Sequence, residues 1–154
     1  MGEVTHDQAN LLLRLYELRR EPRLREAREW YFAHFKPTSL EDAMKICPPN
    51  SKENASMRMV LSYWDMVTSM VNRGLIDEEF FFENTGEHWA VWERVKPIVP
   101  AMRTMFKSPN VHRNLEENVK RLEAWREKTA PGSLDALRQM MATMSADQSK
   151  AQAK

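Results

Sequence analysis

The side chains that most often bind metals are few in this sequence and lie far apart. The histidines and the only cysteine are His6, His34, His88, His112 and Cys47. No two histidines stand one helical turn apart, and the sequence has neither the two Glu-x-x-His motifs of a di-iron bundle nor a paired-cysteine spacing. His112 and Glu116 come closest to a ligand pair, and two donors do not make a site. We therefore expect no metal site and no cofactor.

The sequence also lacks the usual features of nucleophilic catalysis and of nucleotide binding. Cys47 follows a short predicted helix, and the negative end of a helix does not lower the pKa of a thiol. The sequence has no Gly-x-Ser-x-Gly elbow and no glycine-rich phosphate loop, and it contains only 4 glycines. This pattern favours a non-enzymatic protein.

The charges are balanced overall but uneven along the chain. Lys and Arg total 23 and Asp and Glu total 22, which argues against a nucleic-acid partner. Residues 74–93 carry six acids and no Lys or Arg, whereas residues 94–113 carry five bases and no acid. One interpretation is an anion contact through Arg94, Lys96, Arg103 and Lys107. We favour pairing between adjacent helices. The arginines between residues 14 and 28 alternate with glutamates, so i,i+4 pairs account for most of them.

Aromatic residues give the strongest indication of a binding surface. Consecutive residues of a helix differ by about 100° in direction, so Phe80, Phe81 and Phe82 do not all face inward. Most aromatic side chains are expected in the core. A second interpretation is a groove between residues 80–82 and the Trp89/Trp92 helix, filled by Met140, Met141 and Met144 of the same or a neighbouring chain. The candidate interaction or ligand-binding residues are Tyr63, Trp64, Phe81, Trp89 and Trp92.

Helix-forming residues, and the prolines, glycines and capping residues between them, predict the helices that position these residues. The sequence predicts an all-α, irregular bundle of about six to eight helices. Pro22 begins a second helix, Ser39 and Asp77 cap later ones, and Gly74 ends the central helix near 54–73. Leu75 and Ile76 are expected to pack across that turn. Two prolines divide the region between His88 and Phe106, and Ser133 is expected to cap the last helix.

Length and composition predict the organisation of the chain. We expect a single helical domain over residues 1–144 and a flexible tail over residues 145–154. No apolar stretch is long enough to cross a bilayer, and no signal peptide is expected at the N-terminus. A single cysteine suits a reducing compartment, so a cytoplasmic location is expected.

Five stretches together resemble one protein family, the bacterial domain of unknown function 4760. The stretches are Leu15–Arg19, Pro22–Ala27, Ser62–Asp65, Val71–Glu79 and Trp89–Arg94. The resemblance covers roughly residues 10–130, and the Arg-Gly-Leu-Ile-Asp stretch with the later tryptophan pair is its most specific part. It implies an all-α fold and a bacterial origin, and it implies no activity.

The functional prediction is a cytoplasmic, non-enzymatic bundle that works by protein–protein contact, including self-association. The alternative is a carrier of a small-molecule or lipid-like ligand, with an aromatic pocket lined by Tyr63, Trp64, Phe81 and Trp92.

Overall fold

The backbone of this chain is helical, and no strand occurs in residues 2–154, which the computed structural model describes. The helices are α1 (His6–Arg19), α2 (Pro22–His34), α3 (Leu40–Ile46), α4 (Lys52–Asn72), α5 (Glu78–Asn84), α6 (Glu87–Val95), α7 (Val99–Met105), α8 (Arg113–Thr129) and α9 (Ser133–Gln152). The predicted all-α fold class is therefore confirmed, and α4 occupies the position of the predicted central helix.

Side-chain caps explain where most of these helices begin. The oxygens of Ser39, Ser51 and Asp77 each accept a hydrogen bond from a backbone N–H in the first turn of the helix that follows. Pro22 is the first residue of α2, and the Glu21 carboxylate accepts from the next two N–H groups. Because such signals are local, the sequence predicted the roles of Pro22, Ser39 and Asp77 correctly, whereas the caps from Ser51 and Glu21 were not predicted.

The turn after α4 reverses the chain through Gly74. Gly74 has φ +78°, and the Leu75 N–H donates to the Met70 carbonyl, which satisfies an otherwise free helix-end acceptor. Ile76 is completely buried, as expected. The expectation for Leu75 was wrong, since its side chain is 54% exposed.

Prolines divide α6 from α7, as predicted. A single 3₁₀ turn over Lys96–Ile98 contains Pro97, and Pro100 lies in the first turn of α7. Proline lacks an N–H, so it fits the first turn of a new helix and interrupts a continuous one. The kink brings Ile98 and Val99 into the buried part of this region.

The chain forms two compact units, one up to Val119 and the other over Lys120–Lys154. In the second unit Gly132 has φ +82° and precedes α9. The expectation that Ser133 caps α9 was wrong, because Ser133 is already the first helical residue and makes no side-chain cap. The Arg138 guanidinium lies 3.0 Å from a Glu123 oxygen. Residues 145–152 are helical, and the flexibility expected for 145–154 stays a prediction, as does the single domain.

The core of the first unit centres on the packing of α2 against α4. Tyr31 of α2 is fully buried, and its hydroxyl donates to the Val91 carbonyl of α6 at 2.8 Å. Arg28 of α2 makes a two-pronged ion pair with Glu87 of α6. Buried tyrosine hydroxyls and forked arginine pairs need specific partners, so these two interactions fix how α2 and α6 align.

Candidate functional site

An aromatic cluster occupies the junction of α4, α5 and α6. The Trp64 ring meets the Tyr63 ring edge-on at 5.0 Å and lies 5.6 Å from the His88 ring. The Phe81 ring is 5.0 Å from the same histidine. Trp64 is 2% exposed and Phe81 is 1% exposed. The structure therefore brings together three of the five predicted site residues, and it buries them.

Tyr63 joins this cluster to α1. Its hydroxyl donates to the Leu15 carbonyl. Burial is the main cause that raises the pKa of Tyr63 to about 12, while the nearby Arg19 charge acts in the opposite direction. Tyr63 is therefore a neutral hydrogen-bond donor, and its side chain lines the cavity between this cluster and α1.

A cavity of about 260 Å³ lies between α1 and this aromatic cluster, and we name it the α1 cavity. Its lining residues are Leu12, Leu13, Leu15, Tyr16, Arg19, Tyr63, Trp64, Val67, Phe81, Asn84 and Thr85. The walls are therefore mainly apolar, with one cation and a few polar groups. This composition is typical of a site that binds a small organic molecule.

Two residues that line the α1 cavity each carry a buried N–H donor with no acceptor among the described residues. The donors are the indole Nε1–H of Trp64 and the Nε–H of Arg19. The Arg19 guanidinium lies 5.0 Å from the centre of the Tyr16 ring. No carboxylate of the described chain lies within ion-pair distance of Arg19.

Trp89 and Trp92, the other predicted site residues, are not among the residues that line the α1 cavity. Trp89 is buried and Trp92 is half-buried on α6. Residues of α1 complete the lining instead. Leu12 and Arg19 were missed by the sequence reasoning, because α1 showed only an apolar face and an alternation of charges.

A larger groove lies on another face of the first unit, and we name it the methionine groove. Its volume is about 1150 Å³, and residues of α3, α4 and α7 line it. The methionines in its lining are Met44, Met57, Met59, Met102 and Met105. Phe35 and Leu61 contribute buried walls, whereas Phe106 is 58% exposed at the surface. The groove is therefore an apolar surface that is open to solvent.

Asp65 and His112 form a polar part of the methionine groove. The Asp65 carboxylate of α4 accepts from the Leu115 N–H in the first turn of α8 at 3.1 Å. Burial lowers the pKa of His112, and the Asp65 charge partly opposes that shift. Asp65 thus supplies the N-terminal cap of α8 from another helix.

The backbone is unusual around the methionine groove. The non-glycine residues with positive φ in the described chain are Asn50, Lys107 and His112. Asn50 and His112 line the groove, and Lys107 follows the lining residue Phe106. Positive φ is unfavourable for residues with a Cβ, and such residues concentrate at functional sites.

The residues of the predicted anion contact are largely used within the fold. Lys96 lies 2.7 Å from Glu93, and Arg103 lies 2.6 Å from Glu116. Burial lowers the pKa of Arg94, whose Nη1 has no acceptor among the described residues. Lys107 is exposed. The Arg103 pair joins adjacent helices, as in the interpretation that we favoured, whereas Lys96 pairs with a residue three positions before it.

Residues 2–154 lack the features of two other classes of site. No group of three or more His, Cys, Asp or Glu side chains in this range is arranged to hold a metal ion. No helix in the same range combines the length and the apolar character that crossing a membrane requires.

The fold and these surfaces define a small all-α domain with an aromatic cavity and an open apolar groove. The family model for the domain of unknown function DUF4760 matches residues 4–122. The chain belongs to this family, which confirms the resemblance seen in the sequence. No curated protein and no solved structure matches the chain significantly.

Proposed function

We propose that this chain is a non-enzymatic interaction module whose methionine groove binds an apolar face of a helix, either from a partner protein or from a second copy. The observation that carries this proposal is the solvent exposure of the groove's own apolar side chains. Met44, Met59, Met105 and Phe106 are all between 37% and 58% exposed. Contiguous exposed apolar surface on a folded domain is typical of a protein-binding site.

The size and the composition of the methionine groove favour a helix as its occupant. Its volume of about 1150 Å³ exceeds the range of roughly 300–1000 Å³ that is usual for small ligands. Arg58 and Asp65 are its only side chains with a permanent charge, one of each sign, so the walls suit an uncharged helix face. Methionine side chains are flexible and adapt to the irregular surface of an inserted helix.

The chain itself carries a helix of the required kind, which supports self-association. On α9, Met140 and Met144 lie one helical turn apart and are 53% and 56% exposed. A second copy therefore offers an apolar helix face to the methionine groove.

The proposal also covers the cellular compartment of the protein and the class of macromolecule that it binds. We infer a bacterial, cytoplasmic protein with no nucleic-acid partner. Cys47, the only cysteine, is buried, and its thiol donates to the Ala43 carbonyl, which suits a reducing compartment. The ion pairs of Lys96 and Arg103 leave fewer free cations for phosphate contacts.

The molar mass in solution tests the proposal directly. We expect light scattering after size-exclusion chromatography to give a mass above 18.1 kDa that rises with protein concentration. Phe106→Glu and Met144→Glu are expected to return the mass to that of one chain. Leu75→Glu is the matched control, because it puts the same charge on a side chain of similar exposure outside the groove.

A photo-crosslinking residue tests the binding of a different partner. Placed at position 106, it is expected to give a discrete crosslinked product in the cells that make the protein, whereas position 75 gives none. A chain that is monomeric at every concentration and gives no product specific to position 106 would refute the interaction function.

A further inference from the structure

We propose that the α1 cavity is a binding site for a small organic carboxylate with an aromatic or aliphatic body. The inference concerns a different surface from the methionine groove, so it does not rest on the interaction function. It gives a defined ligand chemistry to the alternative function, that of a ligand-binding protein.

The size of the α1 cavity sets the size of the ligand. A cavity of about 150 Å³ lined by apolar side chains is large enough for benzene. The α1 cavity measures about 260 Å³, so it has room for one ring and a short polar arm. Leu12, Val67 and Phe81 provide apolar walls, and Tyr16 and Trp64 provide aromatic ones.

The unused donors determine the polarity of the ligand. A buried N–H without an acceptor destabilises the folded chain. Trp64 is almost wholly buried, and its Nε1–H has no acceptor among the described residues. Arg19 presents a second unused N–H at the same cavity. Both groups donate only, so the complementary ligand carries a hydrogen-bond acceptor.

The charges around the α1 cavity select an anionic acceptor over a neutral one. Arg19 is the only charged side chain in the lining, and no described carboxylate pairs with it. The acid whose charge acts on Tyr63 is Glu87, which is already paired with Arg28. A carboxylate matches the forked geometry of a guanidinium and forms a charge-assisted hydrogen bond with it.

The Arg19 side chain makes no ion pair or hydrogen bond among the described residues, and its contact with the Tyr16 ring is one that Arg20 also makes. Arg28 donates to the main-chain carbonyl of Arg19, which a substitution leaves in place. The next residue, Arg20, provides a matched control. Its guanidinium also lies near the Tyr16 ring, at 5.5 Å, but Arg20 is exposed and does not line the cavity.

The test measures the binding of three probes with the same ring to the full chain by isothermal titration calorimetry. The probes are phenylacetate, its neutral amide phenylacetamide, and the cation phenethylamine. We expect phenylacetate to bind with a dissociation constant of about 10–1000 µM. One charge-assisted bond is worth roughly a tenfold to hundredfold difference, so phenylacetamide is expected to bind at least about tenfold more weakly.

The variants connect this preference to Arg19. Arg19→Gln is expected to remove the preference for phenylacetate over phenylacetamide, whereas Arg20→Gln keeps it. Leu12→Trp fills the cavity and is expected to abolish binding of both probes, with circular dichroism verifying that the variant is folded.

Three results would overturn the inference. The first is no binding of phenylacetate to the wild-type chain at about 10 mM, which would indicate a cavity that holds only water. The second is equal affinity for phenylacetate and phenylacetamide, which decides the question even if a variant fails to fold. The third is an equal loss of phenylacetate affinity in Arg19→Gln and Arg20→Gln, because this would reflect only the net charge of the surface.

Discussion

Replacing Asp65 by alanine is expected to destabilise the chain, because α8 receives its N-terminal cap from this residue. Leu115 is the third residue of α8, and its N–H donates to the Asp65 carboxylate at 3.1 Å. The residue before the helix, His112, has φ +53°, and no capping bond from its side chain is present among the described residues. The cap therefore depends on a residue 50 positions away in sequence.

The size of the effect follows from the cap and from the charge. Loss of a helix cap costs about 1–2 kcal/mol, and we expect that loss for Asp65→Ala. Asparagine keeps an oxygen acceptor and loses only the interaction of a negative charge with the helix end. We therefore expect Asp65→Asn to cost about 0.3–1 kcal/mol.

Urea denaturation followed by circular dichroism measures these differences. The three chains are expected to share one dependence on urea concentration and to differ in the midpoint. Asp147→Ala is the control, because it removes an exposed carboxylate near the end of α9 that makes no ion pair among the described residues. A loss of stability in Asp65→Asn equal to that in Asp65→Ala would refute the capping argument, as would no loss in either variant.

Three further variants or titrations test other features of the fold. Gly74→Ala is expected to cost about 1 kcal/mol in urea denaturation, because an added Cβ meets no atom within 4 Å and only the positive φ opposes it; a neutral result would contradict the left-handed turn. The pKa of Tyr63 rises from 10.0 to about 12 on folding, so the unfolded chain loses this proton first as the pH rises. The free energy of unfolding is therefore expected to fall as the pH rises from 10 to about 12, and Tyr63→Phe should reduce that loss. Burial lowers the pKa of His112 below 6.5, so the unfolded chain takes up the proton first and stability is expected to fall as the pH drops below 6.5. His112→Asn, which tolerates positive φ, should flatten that acid dependence in thermal melts, and an unchanged slope would refute it.

The sequence predicted the helix boundaries well because their signals act over only a few residues. Pro22, Ser39, Gly74 and Asp77 each mark a boundary that the structure confirms. Ser133 was wrong because two neighbouring residues both suit a helix start, and the left-handed Gly132 took the position outside the helix. Such a choice depends on the path of the preceding chain, which local spacing does not determine.

The candidate site was only partly predictable, because its parts come together through tertiary packing. Tyr63, Trp64 and Phe81 were identified from aromatic content, and they do meet at one junction. Arg19 was grouped with the helical charge pairs of its cluster, although no glutamate stands three or four residues away from it. Only the position of α1 over α4 shows that this guanidinium faces a cavity.

The methionine groove could have been suspected from one observation in the sequence. Apolar residues cover α4 beyond the width of a usual core-facing stripe, which indicated a central helix. The structure instead leaves Met59 and Met66 on that helix exposed, at 37% and 42%. Hydrophobic width alone does not distinguish a buried helix from one that helps to form a surface groove.

The exposure of Met44, Met59 and Met105 has a chemical consequence for the methionine groove. A thioether that meets a cellular oxidant gains an oxygen and becomes a polar sulfoxide, whereas buried side chains react more slowly. Each such conversion replaces apolar wall with a strong hydrogen-bond acceptor, and under the proposed function it would lower the affinity of the groove for an apolar helix. Enzymatic reduction of the sulfoxide reverses the change. The methionines that make this surface adaptable therefore also make its apolar character sensitive to oxidation.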